Sequence, residues 1–208
     1  MAAAVTMDLV VLVADKNQAA AVKGLLSRPQ ALGIRSLAAE MAVHPNRDPG
    51  CRRTAHQFLR REAGRFSHAL VIFDREGCGA ESEACDGLEQ GVRRNLSENG
   101  WGDRAAVLVI DPELENWVWS DSPHVEDALG WAKREPPLRD WLCNQGFLSK
   151  GQPKPPRPKE AMEATLRVVS KPRSSAIYYE LAQKVSFTRC SDPAFRRLKD
   201  ILQKWFGV

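Results

Sequence analysis

Residues 7–14, MDLVVLVA, form an unbroken β-branched and leucine run that stops on Asp15. A strand with one wet face alternates apolar with polar residues, whereas a strand covered on both faces reads as continuous apolar sequence. The stretch therefore predicts an interior strand of a layered sheet. Two more runs have the same character: Ala69–Phe73 (ALVIF), which stops on Asp74, and Ala105–Ile110 (AAVLVI), which stops on Asp111. Ser36–Val43 is a weaker strand candidate, because its Ala-rich, Glu-containing middle also suits a helix. Helical spacings lie between the strands. Ala19, Val22, Leu25 and Leu26 mark one helix ending near Pro29, and Thr54-x-x-Gln57 makes a capping box for a second with Phe58, Leu59 and Ala63 inward. Leu88, Val92 and Leu96 mark a third, closed by Asn99-Gly100. Strand and helix taking turns predicts an α/β fold with a four-stranded, mostly parallel sheet flanked by helices.

Past Pro112 the pattern changes. Leu114, Trp117 and Val118 predict a short helix, and Ser122-Pro123 starts another that runs to about Trp131. Residues 149–158 (SKGQPKPPRP) read as an extended, exposed Pro/Lys-rich linker. It separates an α/β domain, 1–148, from a basic helical C-terminal subdomain, 159–208. That subdomain holds helical stretches at 160–169 and 177–185, then a last helix capped by Ser191 or Asp192 with Pro193 at its first position. Phe195, Leu198, Ile201, Leu202 and Trp205 form its apolar stripe, and Arg196, Arg197, Lys199 and Lys204 lie off it.

The 208 residues are 43% apolar and 27% charged, the composition of an ordinary soluble domain able to bury a core without disulfides or structural metal. No apolar run approaches the roughly 18 residues of a membrane span. No basic segment precedes the first apolar stretch, so no signal peptide is expected. The five cysteines are an odd set with no C-x-x-C pair, which points to free thiols and a reducing cytoplasm. Charge is uneven: from Lys150 onward there are 13 Lys/Arg against 5 Asp/Glu, and the remainder is net acidic. Such a tail is either a solvated face or the footprint of a phosphate-bearing or acidic partner.

In an open parallel sheet, ligands bind outside the carboxyl ends of the strands, and three expected strands end on Asp15, Asp74 and Asp111. Asp74 and Glu76 are two residues apart, so in extended chain they share a side, and Asp15 from a neighbouring strand can join them. Clustered carboxylates repel unless a positive charge sits among them, and an all-oxygen cluster suits a hard cation such as Mg²⁺ or Mn²⁺. The alternative is that these acids are turn residues and helix caps. Downstream, Glu115 and Asp121 either rim the acidic site as assisting or second-cation ligands, or belong to a capped helix with two core tryptophans.

A strand ending on an acid and followed by a helix, then an apolar strand ending D-x-D or similar, resembles the Toprim domain of topoisomerases, primases and defence nucleases. Glu115-Asn116-Trp117-Val118-Trp119-Ser120-Asp121 resembles the E-x-W-x-x-x-D segment of compact Toprim-like proteins. Lys159, Tyr178 or Tyr179, and Phe195-Arg196-Arg197-Leu198 resemble their helical ending. The stretches LVVLVADKN, HPNRDPGC, FDREGCG and DPELENWVWSDSPH resemble, more closely, a small component of the methylation-associated defence system of bacteria against phage. The likeness spans almost the whole chain through short motifs. The family's first acid, usually Glu, falls on Asp15, and its D-x-D falls on Asp74 and Glu76; one side chain is a methylene shorter and the other a methylene longer. The resemblance implies a Mg²⁺-dependent nuclease acting with other defence subunits, with Asp15, Asp74 and Glu76 on the metal and Glu115 and Asp121 assisting. The charge excess of the tail puts Arg196, Arg197, Lys199 and Lys204, off the apolar stripe, on nucleic acid. A non-catalytic subunit that binds nucleic acid or protein is the competing expectation.

Other motifs point less far. His44, Asp48, Cys51 and His56 have zinc-ligand chemistry without zinc-site spacing. Asp48, after the second strand, is placed either to add an oxygen to the acidic edge or simply to make a turn. Gly77-Cys78-Gly79 is small enough to cradle a phosphate but lacks nucleotide-binding patterns. Neither a Cys-His pair through Cys78 nor a G-x-S-x-G turn is supported.

Overall fold

The computed structural model describes residues 7–187, 190 and 192–208. Four strands, β1 (Met7–Val13), β2 (Ala39–Val43), β3 (Phe66–Asp74) and β4 (Ala105–Ile110), form one sheet in the order β2-β1-β3-β4, and every neighbouring pair is parallel. The sheet is the Toprim-like arrangement expected, with no antiparallel member. β1 and β3 are central and covered on both faces, which explains their unbroken apolar runs. β2 is an edge strand with no fully buried residue, so its sequence carries a diluted signal.

Nine helices are described: α1 (Lys16–Leu26), α2 (Pro29–Leu32), α3 (Arg47–Leu59), α4 (Cys85–Leu96), α5 (Pro123–Leu129), α6 (Leu138–Asn144), α7 (Pro158–Val168), α8 (Ser175–Lys184) and α9 (Pro193–Phe206). Alternate strand residues divide between two cores. Val10, Leu12, Val71, Phe73, Val107 and Val109 face α3 and α4. Leu9, Val11, Val13, Leu70, Ile72, Leu108 and Ile110 face the opposite layer, which holds α1 and the helices after β4. Right-handed crossovers dictate this division: the chain moves one way along the sheet from β1 to β2 and the other way from β2 through β3 to β4. The reversal leaves a crevice where β1 and β3 end side by side.

Several boundaries differ from expectation for physical reasons. α3 begins at Arg47, so Thr54 lies inside the helix, where its Oγ donates to the Gly50 carbonyl at 3.1 Å instead of capping. Pro49 is tolerated because it falls in the first turn, whose N–H groups have no helical acceptor. Pro29 opens the short α2 as well as closing the turn after α1. α6 has too short an apolar pattern to be read from sequence. All five cysteines are free thiols. Among the described residues no helix is long and apolar enough to cross a membrane.

The tail helices complete the α1 layer. Met162, Leu166, Tyr178, Leu181, Phe195, Leu198, Leu202 and Phe206 join the same buried cluster as β1 and α1. α8 lies on α1 so closely that a Cβ at Gly24 would stand 2.7 Å from both the Ala182 Cβ and the Tyr179 carbonyl. Residues 149–157 lack regular structure and are mostly exposed, as expected, but the segment is tied to the body at several points. Arg139 donates to the carbonyls of Gln152 (2.7 Å) and Pro153 (3.2 Å), Pro155 is buried, and the Trp119 indole donates to the Pro158 carbonyl at 2.9 Å. Prolines restrict the backbone before folding, which lowers the entropy lost on strapping the segment down.

Asp192, only 4% exposed, joins three parts of this layer. Its Oδ1 caps α9 by accepting the Phe195 N–H (3.1 Å) and also accepts the Trp117 indole N–H (3.0 Å). Its Oδ2 accepts from Asn116 (2.6 Å) and Lys154 (3.2 Å). Ser191, the alternative cap, lies outside the described residues. Asp192→Ala strands these donors, so it is expected to destabilise the protein by about 2–4 kcal/mol, well above the loss of an ordinary helix cap. Urea unfolding checks this, and a loss under about 1 kcal/mol would show that the junction contributes no more than a cap.

Candidate active site

Asp15 and Asp74 occupy the ends of the two central strands. Asp15 follows β1 in extended conformation and caps α1, its Oδ1 accepting the Asn17 and Gln18 N–H groups at 2.8 Å each. Asp74 is the last residue of β3. Gln18 joins the two strand ends: its Oε1 accepts the Ala14 N–H (2.9 Å) and its Nε2 donates to Asp74 Oδ1 (2.8 Å). Sequence reasoning missed Gln18, although Asp15-x-x-Gln18 has capping-box spacing. The third carboxylate is Asp48, in the first turn of α3, whose Oδ1 accepts the Asp74 N–H at 2.8 Å. Of its two expected roles, Asp48 takes the one at the acidic edge.

The loop that presents Asp48 is built around buried His44. Its Nδ1 accepts the Asn46 N–H (3.1 Å), its Nε2 meets Thr54 Oγ1 (3.1 Å), and its carbonyl accepts the Arg47 N–H (3.0 Å). Gly50 packs on the ring so closely that a Cβ there would lie 2.1 Å from Nδ1. Burial lowers the His44 pKa and raises that of the Cys51 thiol. Both imidazole nitrogens are thus committed to the loop.

Asp15, Asp48, Asp74, Glu76, Glu113 and Glu115 line one cleft of about 660 Å³, together with Arg47, Arg157, Lys159 and Arg173. The outer glutamates are neutralised. Glu113 faces Lys159 Nζ at 3.6 Å and accepts the Lys159 N–H. Glu115, only 2% exposed, takes the Arg173 guanidinium and the Tyr178 hydroxyl (2.5 Å) on one oxygen. Asp15, Asp48 and Asp74 are in no ion pair among the described residues. Burial, reinforced by the charges of Asp48, Glu115 and Asp15, holds the Asp74 carboxyl well above its ordinary pKa, and the Leu114 N–H offsets only part of this. Asp48 is also raised, first by burial and further by Asp15, against the opposing Asp74 N–H.

The remaining expected residues divide. Glu76 is exposed at the cleft wall, its N–H on the Pro112 carbonyl (2.9 Å). Asp121 is not brought to the acids: it is exposed in a separate groove with Trp119, Arg139 and Lys154. The turn Leu114–Trp117 is 3₁₀, which sends Glu115 inward and leaves Asp121 four residues beyond the turn. Asp111 faces Arg75 at 3.1 Å. On α9, Arg197 is taken up by Glu89 (3.0 Å), Lys199 is half-buried, and Arg196 and Lys204 are exposed. The Gly77-Cys78-Gly79 turn is no open anion cradle, since the Gly79 N–H donates to Glu81 (2.9 Å) and Arg52 occupies the carbonyls of Cys78 and Gly79.

The inner carboxylates suit a hard cation in donor type and in uncompensated charge. Among the described residues no three His, Cys, Asp or Glu side chains converge to hold an ion. Mg²⁺ commonly binds through one or two carboxylates, several waters and substrate phosphate oxygens, and Asp74 with Asp15 or Asp48 fits that sparser mode.

The raised pKa of Asp74 has a definite sign. The folded state holds this proton more tightly than the unfolded state, so the carboxyl's contribution to stability falls as pH rises above the ordinary carboxylate range. Asp74→Asn keeps an acceptor for Gln18 and removes the charge. It is expected to raise Tm at pH 7 in metal-free buffer and to flatten the decline of Tm with pH; a lower Tm across that range would overturn this assignment of charge strain. Comparison with known protein families, with curated proteins and with solved structures finds no match to this chain.

Proposed function

We propose that this chain is a Mg²⁺- or Mn²⁺-dependent phosphodiesterase that acts on nucleic acid in the cytoplasm, as a component of a prokaryotic anti-phage defence system. The observation that carries the reading is that Asp15, Asp48 and Asp74, without an ion-pair partner among the described residues, line one cleft at the crevice between β1 and β3. The defence setting and the partner subunits rest on the likeness of the four quoted stretches to the methylation-associated defence component.

In this reading Asp15 and Asp74 hold the cation, and Gln18 fixes the rotamer of Asp74 through its 2.8 Å bond. A bound divalent cation supplies Lewis-acid polarisation of a phosphoryl oxygen and an acidified water. Asp48, whose pKa burial raises, is the carboxyl suited to accept and return a proton. Lys159 meets the charge on the non-bridging oxygens. Glu115 acts as a positioning residue that anchors Arg173 in the wall.

A second reading, a non-catalytic nucleic-acid- or protein-binding subunit, is favoured by the internal neutralisation of Glu113 and Glu115 and by the lack, among the described residues, of three side chains placed to hold an ion. Cleavage of plasmid and single-stranded DNA with Mg²⁺ or Mn²⁺ decides between them. The expected result is metal-dependent cleavage lost in EDTA and reduced at least ~100-fold in Asp74→Asn. Metal at ten times its Kd should also stabilise the wild type by about 1.4 kcal/mol and the variant less. Absence of cleavage, with equal stabilisation of both proteins, would leave the non-catalytic reading.

A further inference from the structure

Beside the acid cleft lies a second groove, of about 570 Å³, lined by Lys16, Val43, His44, Pro45, Arg47, Lys159 and Arg173, with Asp15 at its inner end. The two share Asp15, Arg47, Lys159 and Arg173, so they are contiguous. Their charge differs: seven carboxylates, Glu160 included, line the first with four cations, whereas Asp15 alone faces four cations in the second. Lys159 and Arg173 are held in place by Glu113 and Glu115. Lys16 and Arg47 are exposed and have no carboxylate partner among the described residues. Arg47 also sits at φ +49°, a left-handed conformation unusual for a side-chain-bearing residue, on the loop locked around His44. That loop delivers Arg47 to both grooves and Asp48 to the acid cleft alone.

We infer that this second groove is a binding track for the phosphodiester backbone of nucleic acid, in which Lys16 and Arg47 take the phosphates flanking the one over the carboxylates. The inference rests on the phosphodiesterase reading for the direction of the strand but not for the binding itself. Each groove lies within the roughly 300–1,000 Å³ range of small-ligand pockets, large enough for a nucleotide-sized group. Two such compartments, joined and of opposite charge, fit a polymer that spans both better than a mononucleotide confined to one. The track is distinct from the outer face of α9, where Arg197 is already paired with Glu89.

The test measures binding of a fluorescein-labelled single-stranded DNA 20-mer, and of an RNA of the same sequence, to the full chain in EDTA and again with Ca²⁺. Lys16→Gln and Arg47→Gln are each expected to weaken binding about 5- to 10-fold at low salt and to lower the salt slope by about 0.7. Arg94→Gln, an exposed charge removal on α4, should change neither. Arg47→Gly, which suits a positive φ, should weaken binding equally without lowering Tm, a result that structural damage would not give. The DNA and RNA arms show which backbone the track prefers, and binding of either supports it. The inference is overturned if neither oligomer binds, if AMP competes as tightly as the 20-mer, or if Arg196→Glu/Lys199→Glu abolishes binding while both groove variants leave it intact. Binding that follows this pattern in a protein that cleaves nothing would retain the track and refute the phosphodiesterase. Cleavage with unchanged KM in both groove variants would do the reverse.

Discussion

Two buried parallel strands side by side force their carboxyl ends together; β3 ends on Asp74, and Asp15 follows two residues after β1. Like charges are thereby concentrated where water is scarce, and much of the surrounding structure handles that concentration. Gln18 donates to one carboxylate and supports the backbone beside the other. The main-chain N–H of Asp74 meets Asp48. Arg173 and Lys159 reach in from the tail to neutralise the outer glutamates but leave the inner three acids uncompensated. Replacing one of them with an amide would relieve this repulsion, so the three acids together carry an electrostatic cost that the surrounding structure does not remove.

The tail therefore has a different role from a basic arm. Its positive charge is partly directed inward, to the buried Glu113, Glu115 and Asp192. α7 and the α7–α8 loop form a wall of the acid cleft, so site and tail form one construction. Burying Glu115 is costly unless its charge is paired and hydrogen-bonded, and Arg173 and Tyr178, themselves bonded to each other, both donate to its Oε1.

Sequence made the sheet legible because β1, β3 and β4 are covered on both faces, a condition that leaves an unambiguous apolar run. Asp15, Asp74 and Glu76 were legible for the same reason: they are the first acids at or beyond those runs. β2 was dim because none of its residues is fully buried, unlike β4, the other edge strand, which is covered on both faces, and α3 was started late because Pro49 masks a helix that tolerates it in the first turn. Gln18 and the Glu115–Arg173 pair depend on contacts across 56 and 58 residues, which no local spacing encodes. Asp121 was misplaced by treating residues 115–121 as one helix, whereas the helical turn there ends at Trp117.

The close seating of α8 on α1 at Gly24 carries a consequence for cooperativity. α1 begins at the Asp15 cap, and α8 begins where Ser175 donates to Asn17 at 2.9 Å, so both helices start at the rim of the crevice. With no side chain between their backbones, neither helix can fray or shift alone without opening a gap along the other. Local unfolding of the tail and loss of the acid crevice are then a single event, and amide protection along α8 reports the integrity of a site to which that helix contributes no carboxylate.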